Sequence, residues 1–418
     1  MHLAYGDSQI EFPLPSGVEW QMLDHSPADD RPVVSLSAAV DDLVRQLAAR
    51  RLPKRSRLLL IVPDHTRRCR VNDILRALLP ALEQRFQPQI DILIANGSHV
   101  LQPESTIREL IGADLCDAYA VQQHDSRNSA ALDYWGMTSN GTPVYLNEKV
   151  RRADFILTIG GVLFHYFAGF GGGPKMLMPG VAGYESVRIN HRRTVDELTA
   201  AMHNGCREGV LDGNPVFADL AEVAKLLPNT LSLQVVLNRR QEFVFCEAGP
   251  LLEVHRRACA CVQAVYSIPI KRKADVVVAS AGGFPGDVNL IQAHKSLHHA
   301  FQAVRESGSI VLLAECREGV GSSTCMPFFD AGDSAAMGKR LLDEYQINGQ
   351  TALSIRMKAE KASVFLFSAL DPGLVVKTGM IPVDSLEQAW ERIVPGLNSN
   401  ALGYLMPKAS TYLPTMEE

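Results

Sequence analysis

The chain has 418 residues, 46% of them hydrophobic and 21% charged, with 41 basic against 46 acidic side chains and a formal net charge of −5 at pH 7. This composition supplies a sizeable core and excludes a disordered chain, while the mildly acidic balance leaves no basic footprint for nucleic acid. No apolar run is as long as a membrane span, and the opening MHLAYGDSQIEF alternates and then turns polar rather than forming a signal core, so a cytoplasmic protein without a membrane partner is expected.

Short apolar runs alternate with segments of helical period. The first helix is predicted over 38–49, and RRLPKRSR at 50–57 reads as a solvated connection into the strand LLLIVPD at 58–64. A helix over 71–85 and the strand IDILIAN at 90–96 follow, then the strand DFILTIG at 154–160 and a long helix over 184–202. Further on come a helix over 216–227, strands at 231–238 and 274–280, a helix over 288–306, a strand at 309–315, a helix over 334–345 and a strand at 362–368. This alternation predicts an α/β fold of two α/β domains with mostly parallel sheets. The polar IKRK at 270–273, followed at once by a fresh strand, puts the domain boundary near 268, giving domains 1–268 and 269–418. The eight cysteines show no CxxC pair and read as reduced; Cys259 and Cys261 read as helical rather than metal-binding.

The densest chemistry lies in GGVLFHYFAGFGGGPKMLMPGVAGYESVRINH at 160–191. Gly171, Gly172 and Gly173 would let backbone N–H groups approach an anionic or planar ligand, and Lys175 follows directly. This is not a phosphate-binding P-loop, because Pro174 and Met176 flank the lysine where Gly and Ser or Thr are required. His165 reads equally as a core histidine in an aromatic pocket or as a catalytic one, and His99 as a turn histidine or a site residue. Asp64 reads as a loop acid beside Thr66 and Arg67 or as the cap of the helix near Val71, and Asp287 as the cap of a later helix. On that helix Gln292 and Lys295 share a face with His299, while His294 and His298 fall on another face expected to meet solvent.

The 160–191 stretch, with PDHTR at 63–67, GSH at 97–99 and DVNLIQAHK at 287–295, resembles the lactate racemase family of nickel-pincer enzymes. The resemblance implies a racemase or epimerase of a 2-hydroxy carboxylic acid, with the active site in the cleft between two domains and the carboxy-terminal one closing over the substrate. Its cofactor would be a nickel-pincer nucleotide, the nickel complex of pyridinium-3,5-bisthiocarboxylic acid mononucleotide, supplied by cofactor-synthesis enzymes. Carried over by motif, Lys175 holds the cofactor covalently with Asp64, Thr66 and Gly171 to Gly173 around it, and His191 ligates nickel. His99 and His165 become the acid/base pair, and Arg67, Gln292 and Lys295 the substrate contacts. The implied reaction passes hydride reversibly from C2 to the cofactor while one histidine takes the hydroxyl proton.

Arg68, Val100 and Ile291 depart from the lactate-specific pattern. Extra cationic charge at Arg68 or Arg70 favours a dicarboxylate such as malate, and the apolar replacements favour a larger or more hydrophobic acid; the sequence does not choose between them. Three rival classes are an NAD-type oxidoreductase, for which no GxGxxG follows any predicted strand, a zinc hydrolase using the same histidines, and a non-catalytic nickel-cofactor-binding protein.

Overall fold

A computed structural model describes residues 2–11, 13–24, 30–67 and 69–417. The chain forms two compact units, one from Met1–Pro27, Thr194–His203 and Val265–Glu418, the other from Ala28–Arg193 and Asn204–Ala264. The mixed α/β architecture with mostly parallel sheets agrees with the sequence reading.

The second of these units is built on a six-stranded sheet in the order Phe243–Pro250, Thr230–Leu237, Phe155–Gly161, Arg57–Pro63, Gln89–Ala95, Ala120–Gln123. All neighbours run parallel except the first pair. Leu58, Leu60, Ile92, Leu157, Leu231 and Leu233 pack one face of this sheet into a core with Leu43 and Leu47 of the helix Leu36–Ala49 and Leu75, Leu78 and Leu82 of the helix Val71–Phe86. From Arg57–Pro63 the chain moves outward through two strands, then returns to the opposite side of that same strand with Phe155–Gly161. The order therefore reverses between these two strands, and ligands of open parallel sheets sit beyond the strand carboxyl ends at such a point.

The other unit also holds a six-stranded sheet, in the order Ile381–Val383, Ser363–Phe367, Val304–Leu313, Ala274–Ser280, Ala401–Met406, Val18–Met22, with every neighbouring pair parallel. The edge strand Val18–Met22 comes from the amino terminus, so a single boundary near 268 does not describe the observed units. Trp20 meets Trp390 edge to face at 6.0 Å, which gives this distant segment an apolar reason to add there.

The helix predicted over 184–202 ends at Arg192. Past it, the Asp196 carboxylate accepts the backbone N–H groups of Leu198 and Thr199 and builds a turn instead of another helical turn. Asp287 is not the cap of the helix Leu290–Ala303: Asn289 is, accepting from Gln292 N at 3.0 Å. Asp287 instead accepts the backbone N–H groups of Gly6 at 2.7 Å and Glu315 at 3.2 Å. His294 and His298, expected in solvent, are buried, because this helix packs against strands on one side and against the helix Gly349–Lys361 on another. Burial pushes both imidazoles well below their ordinary pKa, so they are neutral. All eight cysteines are free.

Candidate active site

Three strand ends of the first-described sheet deliver the candidate residues. Beyond Arg57–Pro63, Asp64 is almost wholly buried and accepts hydrogen bonds from Thr66 N at 3.1 Å and Thr66 Oγ1 at 2.6 Å. It does not cap the following helix, whose amino-terminal position is Arg70 with no side-chain cap. Beyond Gln89–Ala95, Asn96 turns the chain by accepting His99 N and donating to His124 O, and the His99 ring reaches back so that Nδ1 lies 2.6 Å from Asp64 Oδ2. Burial by itself raises the Asp64 pKa, but the hydrogen bond and charge of His99, the Thr66 hydroxyl and the Arg67 charge hold it below the usual carboxylate range. An ionised carboxylate only accepts, so His99 Nδ1 carries a proton, and whenever the ring holds a single proton Nε2 is its acceptor. The ring itself stays 45% exposed, open to a reactant.

Beyond Phe155–Gly161 the chain makes a small hairpin, Phe164–His165 against Gly169–Phe170. His165 Nδ1 accepts the backbone N–H of Ala168 at 3.2 Å, which puts the proton of its neutral form on Nε2, opposite to His99. Phe167, buried in the hairpin turn, joins the separate motifs. Its ring centroid lies 4.5 Å from that of His165 and 4.9 Å from that of His191, both edge to face, and 5.3 Å from Lys175 Nζ. Lys175 sits half-buried in the short 3-10 turn Gly173–Met176, and His191 is buried in the last turn of Tyr184–Arg192 with Nδ1 at 3.2 Å from Asn190 Oδ1.

Electrostatics match this crowding. Desolvation, helped by the nearby Arg67 guanidinium, pulls the Lys175 amine down to about 7. Burial first, and the Lys175 charge second, pull His191 down to about 3, so its imidazole is neutral and has the lone pair that a metal requires. A near-neutral lysine amine is a nucleophile, and imidazole nitrogen suits nickel. The donor set thus fits a covalently held nickel cofactor. Among the described residues no group of three or more His, Cys, Asp or Glu side chains is arranged to hold a metal ion, so the three histidines do not form the cluster that a zinc hydrolase needs.

Two of the three glycine N–H groups expected to face a ligand are engaged inside the fold. Gly171 N donates to Leu163 O at 2.8 Å and Gly173 N to Gln234 Oε1 at 2.8 Å, so these two N–H groups are spent inside the fold. What requires glycine is close approach: a Cβ on Gly172 would lie 2.8 Å from Gln234 Oε1, and one on Gly173 2.3 Å from the His255 ring. Gln234 and His255 were not singled out from sequence. A glutamine inside the apolar run LSLQVVLN was the available signal, since a fully buried glutamine needs partners.

Gln292 and Lys295 lie in the other unit, where Lys295 is exposed and its Nζ donates to Gln292 Oε1 at 2.6 Å. His299, placed on the same helical face from spacing, is buried there and its Nδ1 donates to Ala409 O at 2.8 Å. Val100 is 80% exposed and Ile291 half-buried, while Arg68 lies outside the described residues.

Two α/β units with mostly parallel sheets, one carrying a buried acid, a buried histidine and a half-buried lysine beyond its strand ends, are the make-up of an enzyme rather than a scaffold. Residues 5–203 match the lactate racemase N-terminal domain and residues 270–401 the lactate racemase C-terminal domain. The chain belongs to the lactate racemase family, and so to the isomerases. It is 29% identical over 331 residues to a lactate racemase of Thermoanaerobacterium thermosaccharolyticum, spanning 77% of this chain and 75% of that one. It is 25% identical over 346 residues to a lactate racemase of Lactiplantibacillus plantarum, spanning 80% and 79%. The solved lactate racemase apoprotein from T. thermosaccharolyticum superposes with a TM-score of 0.86 over 100% of this chain and 99% of that one, at 25% identity.

Proposed function

We propose that this enzyme racemises or epimerises a 2-hydroxy carboxylate with a nickel-pincer nucleotide attached to Lys175, His191 serving as the protein ligand to nickel. The observation that carries this reading is the convergence of His165, His191 and Lys175 on the single ring of Phe167, with the lysine amine near neutrality. When bound, the group supplies reversible acceptance of hydride from C2 of the substrate.

The chain's own residues perform the proton work and the positioning. His99, held by Asp64, offers Nε2 as the base for the substrate hydroxyl proton, and the ionised carboxylate stabilises the imidazolium that results. His165, fixed in the opposite tautomer by Ala168 N, presents an N–H as the complementary group. Inversion needs a proton handled on either face of a planar ketone, and two histidines set in opposite states serve that need. Arg67 is the guanidinium for the substrate carboxylate, since its planar fork forms two parallel N–H bonds to such a group. For Gln292 and Lys295 the proposal carries over the substrate-binding role implied by the resemblance.

The test is intact mass of the full chain produced together with cofactor-synthesis enzymes. An adduct mapping to the Lys175 peptide, with one nickel per chain and interconversion of 2-hydroxy acid enantiomers, is expected. Active protein with an unmodified Lys175 would refute the attachment.

A further inference from the structure

Beneath the glycine loop lies a column of buried polar groups that the proposed chemistry does not use. In the strand Thr230–Leu237, Leu231, Leu233 and Val235 join the apolar core, while Ser232 and Gln234 alternate to the opposite face. Both are fully buried. They stand across from Thr158 and Gly160 of the neighbouring parallel strand. Thr158 Oγ1 donates to Ser232 Oγ at 2.7 Å, Ser232 Oγ donates to Thr158 O at 3.2 Å, and Gln234 Nε2 donates to Ser232 Oγ. With its amide nitrogen committed below, Gln234 can offer only Oε1 above, and that atom receives Gly173 N at 2.8 Å.

Three glycines surround this one amide. A Cβ on Gly160 would lie 2.9 Å from Gln234 Oε1 and one on Gly172 2.8 Å from it, while Gly173 is closed on its other side by His255. Gly172 and Gly173 both hold positive φ, 67° and 52°, so the loop has the backbone that the contact demands. A buried polar column in the core of a sheet gains little net stability over apolar side chains of the same shape, but it specifies one arrangement. The loop it holds carries Lys175 two residues after Gly173, in the same turn.

We infer that Gln234 is a positioning residue: its Oε1, oriented by Ser232 and Thr158, clamps Gly173 N and thereby sets the turn that presents Lys175 for attachment. This rests on Lys175 being the attachment residue, whereas the clamp itself is a property of the unloaded chain. Gln234→Leu removes the acceptor at nearly constant volume, and Gln234→Glu, kept protonated by burial, can donate its O–H to Ser232 in place of Nε2 and keep its other oxygen as the acceptor of Gly173 N.

Hydrogen exchange read by mass spectrometry on the unloaded full chain is expected to show the 171–176 segment exchanging at least about tenfold faster in Gln234→Leu, a loss of about 1.4 kcal/mol of protection. The Arg57–Pro63 strand should exchange as in wild type. The adducted fraction after co-production with cofactor-synthesis enzymes is expected to fall at least about fivefold, and Gln234→Glu is expected to restore both readings. Should Gln234→Leu not fold, Ser232→Ala, which removes only the partner of Nε2, is expected to move both readings in the same direction by less. Wild-type exchange at 171–176 in a folded Gln234→Leu, or a Gln234→Glu as impaired as Gln234→Leu, would overturn the inference. A wild-type adduct mapping to another residue would instead remove the role of Lys175 and leave the exchange result standing.

Discussion

The loop around Lys175 and the helix around Lys295 each set a lysine among histidines, and they dispose of charge in opposite ways. In the loop the lysine amine is desolvated and brought to about 7, while the His99 side chain is open to solvent and His165 is half-buried. On the helix Lys295 is exposed and paired with Gln292, and it is His294, His298 and His299 that are buried. The difference teaches that residue type does not assign chemistry. The same ammonium group is destabilised where its surroundings desolvate it and left at ease where water reaches it.

The largest expected effect breaks this contrast at its loop end. Lys175→Ala should abolish the adduct and reduce turnover below detection, because no side chain remains to hold the group, whereas Lys175→Arg, which keeps a long basic side chain but no nucleophilic amine, should not rescue it. Intact mass and an enantiomer-resolving assay check both. Next in size, His99→Ala and His165→Ala should each cost about two to four orders of magnitude in rate, the usual contribution of a placed acid or base. Asp64→Asn keeps the shape but replaces the ionised acceptor, and should lower kcat by less than His99→Ala does. Equal losses in Asp64→Asn and His99→Ala would mean that the carboxylate does more than hold the ring.

A pH measurement sharpens the same contrast. Because the folded Lys175 pKa lies near 7 instead of 10.5, its amine is neutral above that pH, and reductive methylation of the unloaded chain at this residue should be half-maximal near pH 7. Exposed lysines of ordinary pKa remain mostly charged there. A Lys175 profile that still climbs steeply beyond pH 9 would show the amine to be solvated.

How far these roles were legible differs by the physics behind them. Strands such as 58–64, 154–160 and 231–238 were legible because parallel strands buried on both faces read as continuous apolar runs. Lys175 and His191 were legible as members of a motif, and their convergence on Phe167 was not, since ring contacts between hairpin, turn and helix leave no periodic trace. The edge strand Val18–Met22 depends on pairing with Ala401–Met406, almost the whole chain away. Spacing also could not tell that the helix Leu290–Ala303 is covered on more than one side, which is what buries His294 and His298.

At the helix end of the comparison the expected effects are smaller. Lys295→Ala should lower kcat/KM by about ten- to a hundredfold, the 1.5–3 kcal/mol of a hydrogen bond to a charged group, with both KM and kcat affected. His294→Ala should leave KM alone and instead destabilise its unit by about 2–4 kcal/mol, as deletion of a large buried side chain does. A Lys295→Ala enzyme with unchanged kinetics on 2-hydroxy carboxylates would take this lysine out of substrate binding.

The smallest expected effect separates Asn289 from Asp287, the residue that spacing nominated as cap. Asn289 holds the first turn of the helix bearing Gln292 and Lys295 through its bond to Gln292 N. Asn289→Ala should therefore cost about 1 kcal/mol, the usual value of such a cap, and Asn289→Asp should keep most of it because a carboxylate both accepts the same N–H and favours the helix amino terminus. Asp287→Ala removes something else: two backbone N–H groups from distant segments, Gly6 and Glu315, are left without their shared buried acceptor, and leaving buried donors unpaired costs more than losing one cap bond. Thermal unfolding of the three variants should thus rank Asp287→Ala below Asn289→Ala, with Asn289→Asp nearest to wild type. If Asp287→Ala proved the milder of the two alanine variants, the buried carboxylate would not be tying those segments together, and its place in the fold would need another reason.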